Sequence, residues 1–159
     1  MSFCASPAGF VVGWFGGGNR RRFEAMADAD SPMGILASLA ATPVGWGACG
    51  PRSRYLRNNP SRHPLLGDRP RSEDETVWLL PCLFVRAGHR GQGVCHALVD
   101  AAVSLARQHR ATALEAWPLS RACRSANAFL GPEALFAESG FRCVARPTRD
   151  RALMRIDLT

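Results

Sequence analysis

The chain has 159 residues, 47% of them hydrophobic, which suffices for one domain with a buried core. All 20 basic residues are arginine, and against 13 acidic residues they leave a net charge of +7. The exclusive use of arginine is most simply explained by a coding bias. The functional alternative is attraction to an anionic partner, a phosphorylated cofactor or a nucleic acid, because a guanidinium group matches the geometry of phosphate and carboxylate.

The composition also argues against several classes of protein. The six cysteines lie too far apart for a zinc knuckle or a thioredoxin-type motif, so we expect reduced thiols, no metal site and a cytoplasmic location. The apolar stretch at the N-terminus lacks a basic region and contains several glycines, so the sequence favours neither a signal peptide nor a membrane span.

The N-terminal part is predicted to hold a helix, a hairpin and a long loop. Residues 19–28 begin with a good N-cap residue, asparagine, and continue with helix formers. The apolar runs 34–40 and 44–50 predict a β-hairpin connected through residues 41–43. Residues 51–75 show almost no periodicity and are predicted to form a long surface loop.

The central part of the sequence predicts a strand, a helix and a second strand. Residues 76–85 are almost continuously apolar, and Pro81 in their middle predicts a bulge because proline has no amide to donate. From Val94 the apolar residues recur with helical spacing, at 94, 97, 98, 101, 102, 105 and 106. Residues 111–119 read as a strand, so the two strands should be parallel with a right-handed crossover.

The C-terminal part predicts one helix and two strands. Pro132 suits the first position of a helix, and Gly140 suits the residue that ends it. Two apolar runs then flank the turn sequence "TRDR" and predict a strand pair. The fold class is therefore α/β, with a domain over 19–159 and an N-terminal segment, 1–18, that could supply a first strand.

The turn "RAGHRGQGVC" between the central strand and helix has the properties of an anion site. Gly91 and Gly93 lack side chains that would hold a phosphate away from the backbone amides at the helix N-terminus, and Arg90 can add a charged hydrogen bond. A P-loop would need a lysine, and a dinucleotide fingerprint would need glycine where His96 stands.

The order and spacing of Arg90, Gly93 and Cys95 resemble the acyl-CoA motif of the GNAT superfamily of N-acetyltransferases, and the flanks "PVGWGACGPRSRY" and "ESGFRCVAR" also resemble it. The resemblance implies a mixed central sheet that is splayed in the middle, with helices on both faces, and acetyl-CoA as the cofactor. It implies that the backbone of Leu83, Phe84 and Val85 pairs with pantetheine. It also implies that the pyrophosphate is bound by amides of the turn, which are those of Arg90, Gly91, Gln92, Gly93, Val94, Cys95 and His96.

Two carboxylates are the predicted catalytic residues. Glu115 lies on the strand opposite the one that would carry the thioester, among apolar neighbours, an environment that suits a general base. The alternative for Glu115 is a salt-bridged or exposed strand residue. Glu75 is a second candidate base, although acidic runs such as 73–75 are usually solvated.

Phe136 departs from the pattern that the resemblance implies. Much of the family has a tyrosine there that protonates the leaving thiolate. Another donor, with Cys82, Ser125 and Ser139 as candidates, or water would therefore replace it, or catalysis would rest mainly on positioning. The expected reaction is acetyl transfer from acetyl-CoA directly to a primary amine of a small molecule. The alternative is a CoA-binding regulator or a catalytically weak relative. A homodimer is left open, whereas the arginine clusters lack the interleaved aromatic residues of a nucleic-acid module.

Overall fold

A computed structural model of the protein describes residues 21, 24, 25, 32–56, 69–120 and 130–159. Within these residues, six strands form one sheet, with helices on its faces. The elements are β1 Gly34–Leu39, β2 Thr42–Pro51, α1 Arg52–Leu56, β3 Val77–Val85, α2 Val94–Gln108, β4 Ala113–Ala116, α3 Glu133–Glu138, β5 Arg142–Thr148 and β6 Arg151–Asp157. Short 3-10 turns stand at Arg71–Glu73 and Ala87–His89.

The strand order is β1-β2-β3-β4-β6-β5, and the sheet is mixed. β3 and β4 are parallel and are joined through α2, as the sequence predicts, while the other neighbours are antiparallel. Leu114 and Ala116 of β4 belong to the core that α2 and α3 cover. Glu115 points to the opposite face, where Arg52 of α1 contacts it. Helices therefore lie on both faces.

β3 and β4 separate after three residue pairs. They pair only from Val77 with Ala113 to Leu79 with Glu115, although β3 continues to Val85. Just beyond Leu79 the pairing of β3 with β2 contains a bulge. Between the pairs Gly50–Leu79 and Ala48–Cys82, β3 advances three residues and β2 only two, and Pro81 lies in the extra stretch of β3. The predicted bulge and the predicted splay are both confirmed, and they coincide.

α2 begins at Val94, as predicted, and the predicted stripe supplies most of its buried face, since Leu98, Ala102 and Ala106 are buried, but the two differ at one margin. Val99 and Val103 are buried, whereas Ala97, which the spacing placed in the stripe, is exposed. Apolar residues cover more than one side of this helix, so contact with the sheet decides which of them are buried.

The prediction of a surface loop over 51–75 is wrong at both of its ends. Pro51 is the last residue of β2, α1 follows directly, and residues 71–73 form a 3-10 turn. Arg52 and Tyr55 of α1 are buried, which the polar composition of the segment concealed. Residues 57–68 lie outside the described part of the chain.

The connections differ slightly from prediction. The hairpin turns at Ala40 and Ala41, both with positive φ, rather than at residues 41–43. Pro132 caps α3 instead of being its first residue, while Gly140 ends the helix with φ 87°, as expected. Of the predicted helix 19–28, residues 21, 24 and 25 are described and helical, and segment 1–18 is outside the description.

Candidate active site

The glycine turn leads from β3 into the N-terminus of α2. Gly91 and Gly93 have φ of 73° and 78°, values that favour glycine, and a Cβ at either position would meet nothing within 4 Å. The first hydrogen bond of α2 runs from the Ala97 amide to the Gly93 carbonyl, 3.1 Å. The amides before Ala97 therefore have no acceptor within the helix and are available to an anion.

An open groove of about 420 Å³ lies in front of this turn, between the N-terminus of α2 and α3. Seven of the ten residues predicted to bind the cofactor line it, namely Val85, Arg90, Gly91, Gly93, Val94, Cys95 and His96. His89 and the α3 side, Pro132, Ala134, Leu135 and Glu138, complete the lining. The turn, the end of β3 and α3 thus share one cavity.

Two side chains brace the turn from within. Arg90 donates from Nε to the Val85 carbonyl at 3.1 Å, and Gln92 donates from Nε2 to the Gly88 carbonyl at 3.2 Å. The guanidinium of Arg90 therefore stands between the end of β3 and the groove, where it offers further N–H donors.

His96 and Glu138 link the two sides of the groove. His96 Nε2 lies 2.9 Å from Glu138 Oε2, and both side chains are exposed. No pattern in the sequence indicates this pair, because the residues are 42 positions apart. Beside them, burial raises the pKa of the Cys95 thiol, and the charge of Arg90 partly offsets that effect, so Cys95 is a neutral thiol at neutral pH.

The edge of β3 next to the groove faces the gap that the splay leaves. Gly47, Trp46 and Gly45 of β2 pair with Leu83, Phe84 and Val85 on one side. In the described residues, β4 does not reach these three positions on the other side. Their backbone groups on that side are placed to pair with an extended chain, as an added strand would.

Glu115 is fully buried, but the expectation that it stands among apolar neighbours is wrong. Its Oε1 accepts hydrogen bonds from Arg69 and from Arg155, the latter at 3.1 Å, and its Oε2 lies 3.4 Å from Arg52 Nη1. The salt-bridged alternative describes this environment. With both oxygens held by guanidinium groups and no exposed surface, the carboxylate has no open path to an amine.

Glu75 is exposed and precedes the first residue of β3, at the end of that strand opposite the glycine turn. The neighbouring acidic residues have a different role from the solvated run expected of them. Asp74 Oδ1 accepts a hydrogen bond from Arg52 Nε at 2.7 Å, and Glu73 Oε2 lies 3.6 Å from Arg155 Nη1. Neither residue lines the groove, so they act in the arginine cluster around Glu115.

Phe136 is completely buried and packs edge-to-face against Phe141, with ring centroids 5.4 Å apart. It therefore serves as a core residue of α3. Among the substitutes considered for a proton donor, Cys82 is half-buried in the bulge of β3 and Ser139 caps the end of α3, while Ser125 lies outside the described residues.

The described residues include three tryptophans, Trp46, Trp78 and Trp117, and two of them have structural roles, as does Arg52. Trp78 and Trp117 are buried, and Trp78 stacks on His109 with centroids 5.1 Å apart. Arg52 is engaged in the buried cluster. Trp46 alone of the three tryptophans is partly exposed.

Two further properties concern the described residues as a whole. Among them, no three His, Cys, Asp or Glu side chains are grouped so that they could hold a metal ion. None of the helices in this part of the chain has the length and apolar character that a membrane span requires.

Comparison with known proteins agrees with the geometry. The family model "Acetyltransferase (GNAT) family" matches residues 8–130 of the sequence. The chain belongs to this acetyltransferase family. As a GNAT member it is an acetyl-CoA-dependent N-acetyltransferase, and the open glycine turn and the adjoining strand edge fit that cofactor. No curated protein matches the sequence significantly.

Solved GNAT structures share the fold at low sequence identity. The yncA acetyltransferase of Salmonella typhimurium, solved with its cofactor acetyl-CoA, is 17% identical, with a TM-score of 0.59 over 89% of this chain and 73% of that one. The ribosomal-protein-alanine N-acetyltransferase of Brucella melitensis is 20% identical, with a TM-score of 0.59 over 88% and 77%. An N-acetyltransferase of Staphylococcus aureus Mu50 is 16% identical, with a TM-score of 0.60 over 90% and 77%.

Proposed function

We propose that this protein transfers the acetyl group of acetyl-CoA directly to a primary amine of a small molecule. The observation that carries the proposal is the convergence of three features on one groove: the amides before Ala97, the guanidinium of Arg90 and the β3 edge at residues 83–85. The phosphates of CoA match the free amides and the guanidinium, and its amide-containing pantetheine chain matches the edge of β3.

The turn residues would hold the cofactor by backbone contacts. Amides from Gly91 to His96 would bind the diphosphate, Arg90 would add charge, and the backbone of Leu83 to Val85 would pair with pantetheine. Once bound, the cofactor supplies an acyl group activated as a thioester. The splay beyond Leu79 gives that end of the cofactor a place between the strands, so the contribution of the chain is chiefly positioning.

Proton transfer is not assigned to either predicted carboxylate. Glu115 is enclosed by three arginines, and Glu75 lies at the far end of β3. Phe136 has no hydroxyl to protonate the leaving thiolate. We infer that the amine loses its proton to solvent and that the thiolate leaves without a tyrosine donor.

The binding part of the proposal is tested with valine at the turn. A side chain at Gly91 or Gly93 would project into the space that the phosphates need, so Gly91→Val and Gly93→Val should raise the Kd for CoA by roughly tenfold to a hundredfold. Gly140→Val is the matched control, because Gly140 also has a positive φ, 87°, but does not line the groove. Calorimetric titration with CoA measures all three, and equal affinities in the three variants would overturn the assignment.

A second candidate function is a cofactor-binding protein that transfers acetyl groups slowly. The buried, hydroxyl-free ring of Phe136 and the enclosed carboxylate of Glu115 favour it. Thiol release from acetyl-CoA with a panel of small primary amines separates the two functions. Amine-dependent turnover supports the enzyme, and tight binding of CoA with no amine-dependent release supports the binding protein. The cytoplasmic location and the homodimer stay predictions.

A further inference from the structure

Glu115 occupies a special place in the sheet. Its pair with Leu79 is the last one before β3 and β4 part, and the bulge at Pro81 follows immediately on β3. On its other side Glu115 pairs with Arg155 of β6. The carboxylate thus belongs to the residue at which the gap between β3 and β4 begins, and the gap widens from there towards the groove.

The contacts of Glu115 tie three parts of the chain to this point. Arg52 comes from α1, Arg69 precedes the 3-10 turn and Arg155 lies on β6, and all three contact the carboxylate. The cluster extends outward, since Arg52 pairs with Asp74 at 2.7 Å and Arg155 with Asp157 at 2.8 Å.

The side chains around Glu115 restrict one another, because they also have partners other than Glu115. Arg52 is fully buried, and it also donates to the Pro70 carbonyl at 2.7 Å, so it cannot follow Glu115 if that side chain moves. Removing the carboxylate would take a shared anion from three guanidinium groups, of which that of Arg52 is fully buried, and the strands beside them would have to shift to admit water or a counter-ion.

We propose, on the basis of the acetyl transfer described above, that Glu115 is a positioning residue that fixes the point at which β3 and β4 part. Through Arg52, Arg69 and Arg155 it sets the width of the gap that receives the thioester end of acetyl-CoA. This role differs from that of a general base, because the carboxylate keeps its charge and its contacts throughout the reaction.

The test is Glu115→Gln in the full chain, which preserves side-chain shape and removes the charge. We expect kcat to fall by on the order of tenfold to a hundredfold, because small misplacements of reacting groups have effects of that size. The Kd for CoA itself should stay within about twofold, since the glycine turn that binds the diphosphate is separate. The ratio of the Kd values for acetyl-CoA and CoA should change, because only the acetyl end enters the gap.

Two further variants separate positioning from stability. Glu133→Gln removes the exposed ion pair with Arg146, 2.6 Å, away from the gap, and should leave kcat unchanged. Arg155→Gln removes one of three cations at a partly exposed site, so it should fold and reproduce a smaller loss of kcat, which Arg155→Lys should partly restore.

The possible results have distinct meanings. A Glu115→Gln protein with a lower melting temperature but wild-type kcat and an unchanged Kd ratio would overturn the positioning role. Loss of the acidic limb from its pH profile of kcat/KM would identify Glu115 as a general base and also overturn the positioning role. If the wild-type protein shows no amine-dependent turnover, the proposed function fails, and the Kd ratio alone decides the inference, upheld by a change and refuted by constancy.

Discussion

Individual residues show how environment changes the meaning of a side chain. Phe136 stands where the resemblance to the GNAT family implies a tyrosine, and in this chain the ring is fully buried against Phe141. A Cβ at Gly131 would lie 3.3 Å from Phe136 Cε2, so the ring has close neighbours on that side as well. The position is therefore a packing site.

Restoring the hydroxyl with Phe136→Tyr should destabilise the protein without accelerating the reaction. A buried hydroxyl with no acceptor costs about 1–3 kcal/mol of unfolding free energy. Phe84→Tyr is the control, because Phe84 is 51% exposed and its hydroxyl would reach water. Urea unfolding and initial rates of acetyl transfer measure both effects. A stable Phe136→Tyr protein with a tenfold higher kcat, roughly the lower range for a general acid, would contradict the prediction.

Among the elements, the hairpin β1–β2 has a strained turn that its sequence does not predict. Ala40 and Ala41 form the two-residue turn with φ of 45° and 66°, and they are neither glycine nor asparagine. Two positive φ values in a two-residue hairpin turn are typical of type I′, whose twist matches that of the strands. The pairing of β1 with β2 over six residues of β1 holds alanine in this conformation.

Replacing the strained alanine should therefore stabilise the hairpin. We expect Ala41→Gly to raise the free energy of unfolding by about 1 kcal/mol, because glycine adopts positive φ without a clash between Cβ and the carbonyl. Ala37→Gly, within β1, is the matched control and should lower it by about 0.5–1 kcal/mol. Chemical denaturation checks both values, and destabilisation by Ala41→Gly would refute the turn geometry.

At the scale of the whole molecule, folding lowers the pKa of some carboxyl groups and raises the pKa of a buried thiol, and these shifts make stability depend on pH. Hydrogen bonds from Arg146 lower the pKa of Glu133, and those from Arg155 and Arg142 lower the pKa of Asp157. Burial raises the pKa of Cys49 to about 12, against a smaller opposing effect of Arg54.

These shifts predict losses of stability at both ends of the pH scale. The contribution of the two carboxylates is complete above their ordinary pKa of about 4 and is lost as pH falls through the lowered values. The contribution of Cys49 is complete below the ordinary thiol pKa of about 8.5 and is lost as pH rises towards the raised value.

Urea unfolding between acid and alkaline pH tests the alkaline side with two alanine variants. Cys49→Ala should flatten the decline above about pH 8.5, because it removes the thiol that only the unfolded state ionises. Cys143→Ala should leave the decline unchanged, since that thiol is exposed. The same alkaline slope in both variants would disprove the assignment to Cys49.

Features that depend on neighbours along the chain were predictable. The glycine turn, the start of α2 at Val94 and the bulge at Pro81 follow from the φ range of glycine, the 3.6-residue period and the missing proline amide. Since these local features favour an anion at the turn after β3, the sequence by itself determined the local geometry on which the proposed cofactor site depends.

Only the tertiary structure decided what surrounds Glu115. The arginines that contact Glu115 stand 63, 46 and 40 positions away, separations at which no sequence period operates. A buried carboxylate looks the same in sequence whether apolar groups or guanidinium groups enclose it. Its chemistry is set by the partners that chain folding brings within hydrogen-bond distance. The glycine turn could therefore be predicted from the sequence, whereas the surroundings of Glu115 could not.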